Sequence, residues 1–455
     1  MTMVTVGPVI GKVTALTARV LIECDRDASI DCSATGPTGP PIRQTQNLKR
    51  GRPKVFEFTS LRPDTEYLIT IDGADCPVPS QIRTYPELPT ALNVGAVSCN
   101  FTVQRQDTDL WRQLGDHYVR PRLLDLLLHI GDQVYGDETF QQALYLLNGR
   151  SRGTAVQERK ILELYRQLYR WTWGFPSTRA VLAAVPNLMI WDDHEIRDDW
   201  GSNPADRDPN SPEQYVGGLA RRVYREYQRQ LWDSIDVDVD PPGGAVEDHW
   251  HVWGSIGVLF LDQRGARSFA YDPQRPYLGS AQWQRVTAAL APGGALAGVR
   301  ALMVVTSVPL AYLGDGISTI GSELMNDLMD HWAYGPHQKE QVECLRALRR
   351  WKQAGDGERE LLVLGGDVHI GCRTEVQHSG QMIFKQLITS PMTNKPPSWT
   401  AFQGLVGLLE RDQNLGDNYS FKHSNYTRQR NFGIVIARVP DHGTPKIDPT
   451  LVVAV

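Results

Sequence analysis

Three apolar runs each end in residues able to bind a multivalent cation. Run 126–130 leads into Gly131-Asp132, with Tyr135 three positions after the aspartate. Run 187–190 leads into Trp191-Asp192-Asp193-His194-Glu195, and run 361–364 into Gly365-Gly366-Asp367-Val368-His369. An earlier run, 93–98, ends at Cys99. Carboxylate, phenol, thiol and imidazole groups are the oxygen, sulfur and nitrogen donors that metal ions take. In open α/β sheets, ligands gather outside the carboxyl ends of the strands. Donors delivered there by separate strands point to a metal centre.

Each motif also has a plainer reading by itself. Of residues 192–199, five are acidic, and carboxylates so crowded raise their own pKa values unless cations neutralise them. His194 in their midst is a candidate acid, base or anion-contacting group. The same stretch suits a helix start, with Asp192 or Asp193 as N-cap and Glu195 near the positive end of the dipole. Gly131-Asp132 suits a strand-to-turn junction, and Cys99 suits a small buried hydrophobe. Asp367 and His369 are two apart, so strand alternation would put both on one face as a chelating pair. Asp262-Gln263-Arg264 closes another apolar strand. Arg264 reads equally as half of a local ion pair or as a contact for a phosphoryl oxyanion.

The elements that must position these groups are legible in outline. From residue 91 onward, apolar strand-like runs alternate with longer amphipathic stretches, which predicts an α/β domain over 91–455. Further strands are predicted at 257–261, 301–305, 385–389 and 433–439, and helices at 158–170 and 213–232. The arginines of the second helix (221, 222, 225 and 229) read as a solvated face. Residues 1–88 have a different texture. Short alternating segments at 18–23, 55–58 and 67–71, separated by Gly/Pro-rich turns, predict a small β-sandwich. Loops 140–180, 200–245, 310–340 and 400–431 hold many aromatics, most of which read as packing and some as walls of a substrate entrance.

Composition narrows the function further. A chain of 455 residues holds two domains, or a large one and a smaller one. Its formal net charge of −5 gives no electrostatic case for a nucleic-acid partner or an anionic membrane. No apolar stretch of about 18 residues predicts a transmembrane helix. The first residues lack a charged, apolar leader, so a cytoplasmic location is expected, or a secreted one if the chain was trimmed. The six cysteines lack C-x-x-C spacing, and free thiols are expected, with one disulfide among Cys24, Cys32 and Cys76 as the alternative.

Taken jointly and in order, Ser98-Cys99, Gly131-Asp132 with Tyr135, Trp191-Asp192-Asp193-His194-Glu195, Asp262-Gln263-Arg264 and Gly366-Asp367-Val368-His369 resemble the alkaline phosphatase D-like (PhoD-like) branch of the calcineurin-like metallophosphoesterases. Leu61-Arg62-Pro63-Asp64-Thr65-Glu66-Tyr67 resembles the tyrosine corner of fibronectin type III domains. The resemblance implies a four-layer α/β/β/α metallophosphoesterase sandwich preceded by a small fibronectin-III-like β-sandwich. It implies hydrolysis of a phosphomonoester or phosphodiester by hydroxide generated at a dinuclear metal centre. A phospholipase D-like diesterase and a non-catalytic binding protein on the same scaffold are the alternatives. By position, Cys99 would be a thiolate ligand, Asp132 a bridging carboxylate and Tyr135 a phenolate ligand. Asp193 would ligate the second metal, and Asp367 and His369 would complete the set. His194 would contact the phosphate or protonate the leaving group, with Arg264 as phosphate clamp or supporting residue. The implied cofactors are two or more ions, Fe(III) and Ca2+ foremost, with Mn2+, Zn2+ or Mg2+ as alternatives. The implied partner is a small phosphate ester. Where some relatives place an Asn after the acidic motif, this chain has Ile196-Arg197-Asp198-Asp199, which could add a ligand or favour a harder cation.

Overall fold

Apolar runs become buried strands, and the strand ends become the framework of the site. The computed structural model describes residues 1–101, 109–236, 247–267, 277–314, 331–332 and 334–454. Seven strands come first: β1 (Val4–Val13), β2 (Ala18–Cys24), β3 (Ala28–Thr35), β4 (Ile42–Leu48), β5 (Lys54–Phe58), β6 (Glu66–Asp72) and β7 (Ser80–Arg83). They form two antiparallel sheets, ordered β1-β2-β5 and β4-β3-β6-β7. The Tyr67 hydroxyl accepts the Arg62 N–H at 2.8 Å, so the corner tyrosine does satisfy nearby backbone. All six cysteines are free thiols.

Two larger sheets follow. The first is built from β8 (Ala91–Val97), β9 (Leu126–Ile130), β10 (Asn187–Ile190), β19 (Asn431–Arg438) and β20 (Lys446–Val453), in the order β10-β9-β8-β19-β20. The second contains β11 (His249–Trp253), β12 (Ile256–Leu261), β13 (Ala301–Thr306), β14 (Glu360–Gly365), β15 (Gly371–His378), β16 (Gln381–Ile388), β17 (Gln413–Leu415) and β18 (Tyr419–Thr427). Its order is β11-β12-β13-β14-β16-β15-β18-β17. Strands β8, β9 and β10 are parallel, as are β12, β13, β14 and β16. Strands of this kind are covered on both faces and therefore read as unbroken apolar runs. Every residue of β9, β10, β12 and β13 is buried.

The sheets meet at their carboxyl edges. The Ser98 hydroxyl, beyond β8, donates to the Thr389 carbonyl beyond β16 at 2.7 Å. The Met392 N–H donates to the Ser98 carbonyl at 2.9 Å. A Cβ on Gly366 would lie 2.8 Å from the Ser98 side chain and 3.0 Å from the Ile130 carbonyl, so only glycine lets β14 come this close. The amino-terminal strands share one apolar core with the first large sheet. Asn187 donates to the Ile10 carbonyl at 3.0 Å and the Trp253 indole donates to the Val13 carbonyl at 3.0 Å.

The predicted helices appear at Ala155–Trp173 and Pro212–Tyr227. The arginine face of the second is not solvated. Arg221, Arg225 and Arg229 all pair with the fully buried Glu247, at 3.0, 2.7 and 2.6 Å. Arg222 instead pairs with Glu158 at 3.7 Å. Trp173, Trp200, Trp332 and Tyr419, aromatics of the predicted entrance loops, are buried in packing roles. Residues 237–245, 315–330 and 333 of those loops lie outside the described residues. Among the described residues, no helix is long and apolar enough to cross a membrane.

Candidate metal centre

Asp132 leaves the end of β9 with φ +56° and is buried. The preceding Gly131 has φ +92°, and a Cβ there would lie 2.6 Å from the Asp192 side chain. The tight turn thus presses the β9 and β10 loops together. Glu195 fastens them. It accepts the N–H groups of Asp132, Gln133 and Asp192 at 3.1, 2.8 and 2.8 Å, and the Gln228 amide at 2.9 Å. Asp192 precedes a three-residue 3₁₀ turn, Asp193–Glu195, so a single turn and not a helix starts here, and it coexists with the cluster.

Carboxylate oxygens of Asp132, Asp192, Asp193 and Asp367 all lie within 4.8 Å of one another. Donor atoms of Asp132, Asp193 and His194 lie equally close together, as do those of Asp193, Asp198 and Asp199. Asp132 Oδ1 is buried and accepts no hydrogen bond among the described residues. Burial drives the Asp132 carboxyl well above the usual range, with Asp193, Asp192 and Glu195 adding to it and His194 opposing. Burial also acts to raise Asp193, but Arg264 and His194 outweigh it and hold that carboxyl low. An orphaned buried oxygen among packed carboxylates is a donor set for hard cations, so the residues fit the metal that the motifs imply.

The other predicted donors surround this cluster. Cys99, with φ +53°, receives the Ser390 hydroxyl at 3.0 Å and lies 3.6 Å from the Asp367 carbonyl. Burial, then the Asp132 and Asp367 charges, push its thiol far up, so a thiolate there needs a cation beside it. The Tyr135 hydroxyl donates to Asp132 Oδ2 at 3.2 Å and accepts from the Asn394 amide at 2.7 Å. The Asn394 amide also lies 3.0 Å from His369 Nε2. Burial lowers His369 to about 4, leaving a neutral imidazole.

One expectation needs correction in its physical reason. Asp367 and His369 do not alternate along a strand. β14 ends at Gly365, and both residues adopt left-handed conformations, φ +64° and +52°. Each carries a different contact: Asp367 faces His331 Nε2 at 3.5 Å, and His369 faces Asn394. Arg264 is fully buried, with its Nε against Asp192 Oδ1 and an Nη 3.4 Å from Asp193 Oδ1. That is the ion-pair side of its two readings.

His194 Nδ1 lies 2.9 Å from Asp137 Oδ2, which leaves Nε2 directed toward the Asp198 side, 3.6 Å away. Burial opposes charge on His194, but Asp193, Asp132 and Asp137 together raise its pKa well above the usual value. Sequence reading missed Asp137, Ser390, Asn394 and His331. Asn394 and Ser390 had a usable signal. The 385–389 run reads as a strand, and these polar residues follow its end as Cys99 and Asp132 follow theirs.

Comparisons with known proteins bear on this geometry. The sequence model of a family described as PhoD-like phosphatase matches residues 95–442. The "Uncharacterized protein YGR266W" of Saccharomyces cerevisiae is 25% identical over 360 residues, covering 63% of this chain and 50% of that protein. The chain therefore spans about half the length of the curated relative it matches. A solved structure titled "Structure of PhoD" aligns with a TM-score of 0.69 and 14% identity, over 99% of this chain and 90% of that one. The structural likeness shows a shared mixed α/β fold.

Proposed function

We propose that this chain, which belongs to the PhoD-like phosphatase family, hydrolyses phosphate esters with the help of at least two bound cations. The observation that carries the proposal is the packing of Asp132, Asp192, Asp193 and Asp367 within 4.8 Å, with Asp132 Oδ1 buried and unsatisfied. Asp132, Asp193 and Asp367 would hold the ions, with Cys99, Tyr135 and His369 as further ligands and Asp192 as an additional carboxylate at hand. When bound, such ions make water more acidic and polarise a phosphoryl group.

The chain's own residues supply the rest. Asp137 fixes the His194 ring through Nδ1, so Nε2 is the atom that can give a proton to the leaving oxygen. Arg264 neutralises Asp192 and Asp193 from inside the protein and so sets how much negative charge the cations meet. We assign it this orienting role ahead of direct phosphate contact. Phosphoryl transfer asks for positioning and charge stabilisation more than covalent chemistry, and no phosphoenzyme is expected. Residues 91–455 form the catalytic unit in this reading, with the two large sheets as the middle of a four-layer core. Residues 1–88 form a fibronectin-III-like module seated on it.

Elemental analysis of wild type and Asp132→Asn, with hydrolysis of p-nitrophenyl phosphate and bis-p-nitrophenyl phosphate, tests the proposal. Metal and activity lost together in the variant support it, and the better ester assigns monoester or diester preference. Wild type that stays metal-free and inactive after iron, manganese, zinc or calcium is supplied would refute it.

A further inference from the structure

A cavity of about 870 Å³ lies away from the metal centre. It lies between the β7 edge of the amino-terminal module, the 110–120 helical segment and the helix Pro176–Leu182. Thr90, Asp125 and Pro186 line it, and these residues immediately precede β8, β9 and β10. Cys99, Asp132 and Asp192 follow the other ends of the same strands. The cavity therefore sits at the opposite end of the sheet from the candidate active site.

Its lining selects a ligand class. Five of the lining residues are prolines, which have no N–H to offer and hold rigid walls. The polar atoms of its large aromatics are already engaged. The Tyr85 hydroxyl donates to the Asp125 carbonyl at 2.7 Å, and the Trp111 indole donates to Asn100 Oδ1 at 2.9 Å. Six of the eight charged lining residues pair with one another: Arg83 with Asp64, Arg122 with Glu66, and Arg120 with Asp116. Of the other two, which are opposite in sign, Arg112 lies 3.9 Å from Asp109 and Asp125 accepts the Asn93 N–H at 2.7 Å. Such a site rewards apolar area and offers no net charge to an ion. Its volume matches that of small-molecule pockets, about 300–1,000 Å³.

We propose that this cavity binds an uncharged, apolar molecule, and that occupancy is felt at the metal centre through Trp111. The connection is short. Trp111 lines the cavity and donates to Asn100, whose N–H donates to the Asp132 carbonyl at 2.8 Å and whose side-chain amide donates to the Gln133 carbonyl at 3.3 Å. A ligand pressing on the indole pushes on the residue that holds the Asp132 turn. The binding claim is independent of the proposed function; the coupling claim rests on it.

The test uses the metal-loaded full chain and N-phenyl-1-naphthylamine, an uncharged fluorophore that brightens in apolar sites. Saturable binding to wild type is expected. Ala180→Phe and Ala184→Phe should each weaken it at least tenfold. Both alanines line the cavity and are exposed, so the added rings fill the cavity and leave the core intact. No saturable binding, or binding unchanged in both variants, overturns the site. Saturating probe should change kcat or KM for p-nitrophenyl phosphate about twofold or more, and Trp111→Phe should keep the binding and lose that change. Kinetics indifferent to bound probe overturn the coupling and leave the site standing.

Discussion

Two buried carboxylates in this molecule meet opposite surroundings. Glu247 is fully buried and is gripped by Arg221, Arg225 and Arg229. Burial alone would raise its pKa, yet the three guanidinium groups hold it below the ordinary glutamate value. Asp132 is buried as deeply, has no arginine or lysine ion pair among the described residues, and is driven the other way by burial and by neighbouring carboxylates. A protein can stabilise a buried charge by bringing its own counter-charge, or it can leave the charge for something that binds. The first arrangement holds structure together. The second is how a metal site looks from the side of the protein.

The largest expected effect breaks that contrast at Asp132. Asp132→Asn should lower kcat/KM at least ~10⁴-fold, about 5.5 kcal/mol of transition-state stabilisation, if the carboxylate holds a cation. In metal-stripped protein the same change should raise Tm, on the order of 1–3 °C, because it removes a carboxylate that folding disfavours in its charged form. Calorimetry of the metal-free pair checks the sign. A variant less stable than metal-free wild type would mean that Asp132 is satisfied by the protein alone. Next in size, His194→Ala should keep the metal and slow turnover on the order of 10²–10⁴-fold. Full turnover in this variant would remove His194 from the reaction.

Glu247→Gln tests the other half. It leaves three arginines facing a neutral amide, and the loss of one partner from a buried ion cluster costs about 3–5 kcal/mol. Urea unfolding should show that loss with the metal content unchanged. A loss under about 1 kcal/mol would mean the arginines are satisfied elsewhere, and that the cluster is not the self-compensated partner it is taken to be.

The same region sets the acid limit of stability. Burial lowers His249 to about 3, and His251 also falls well below its usual value. Both rings are held neutral in the folded protein, so stability present above the unfolded value of about 6.5 drains away as pH falls toward 3. Glu247, with its folded pKa depressed, adds to the loss below the unfolded glutamate value of about 4.3. His249 stacks on Trp232 and Phe260 at 3.9 and 4.2 Å, so His249→Phe keeps the packing and removes one proton from the transition. The slope of stability against pH between about 6.5 and 4.3 should fall by up to about 1.4 kcal/mol per unit. An unchanged slope would show that His249 is not what titrates.

These two regions were unequally legible in the sequence. Asp132, Asp193 and Asp367 stood out because parallel strands buried on both faces leave unbroken apolar runs, and the run ends mark where polar groups collect. The solvated-face reading of Arg221, Arg225 and Arg229 fails because their partner, Glu247, is 18 to 26 residues away, beyond any helical i,i+4 reckoning. Polar strands such as β4 and β18 also escaped, since Ile42-Arg43-Gln44-Thr45-Gln46-Asn47-Leu48 carries too few apolar residues to announce a sheet. What the sequence hid at the site was backbone shape. Cys99, Asp132, Asp367 and His369 all have positive φ, between +52° and +64°. Non-glycine residues in that region are uncommon, and although Asp and His are enriched there, the residue type alone does not mark which of them adopt it.

Cys99 supplies the smallest and most discriminating effect. Its Sγ sits between the Ser98 and Ser390 hydroxyls, at 3.5 and 3.0 Å, and serine would fit the same space. If Cys99 were only a buried hydrophobe, Cys99→Ser would cost little stability and leave metal content untouched. If it is a ligand, a soft anionic donor is replaced by a neutral hydroxyl, and preference should shift away from iron toward harder ions. The expected outcome is a several-fold lower iron-to-protein ratio by elemental analysis, with loss of any thiolate-to-iron absorption band, while Asp132 still retains calcium or manganese. Activity restored by manganese but not by iron would separate the thiol's part from that of the carboxylates. An iron ratio and spectrum identical to wild type would return Cys99 to the packing role, leaving a metal site made of oxygen and imidazole donors.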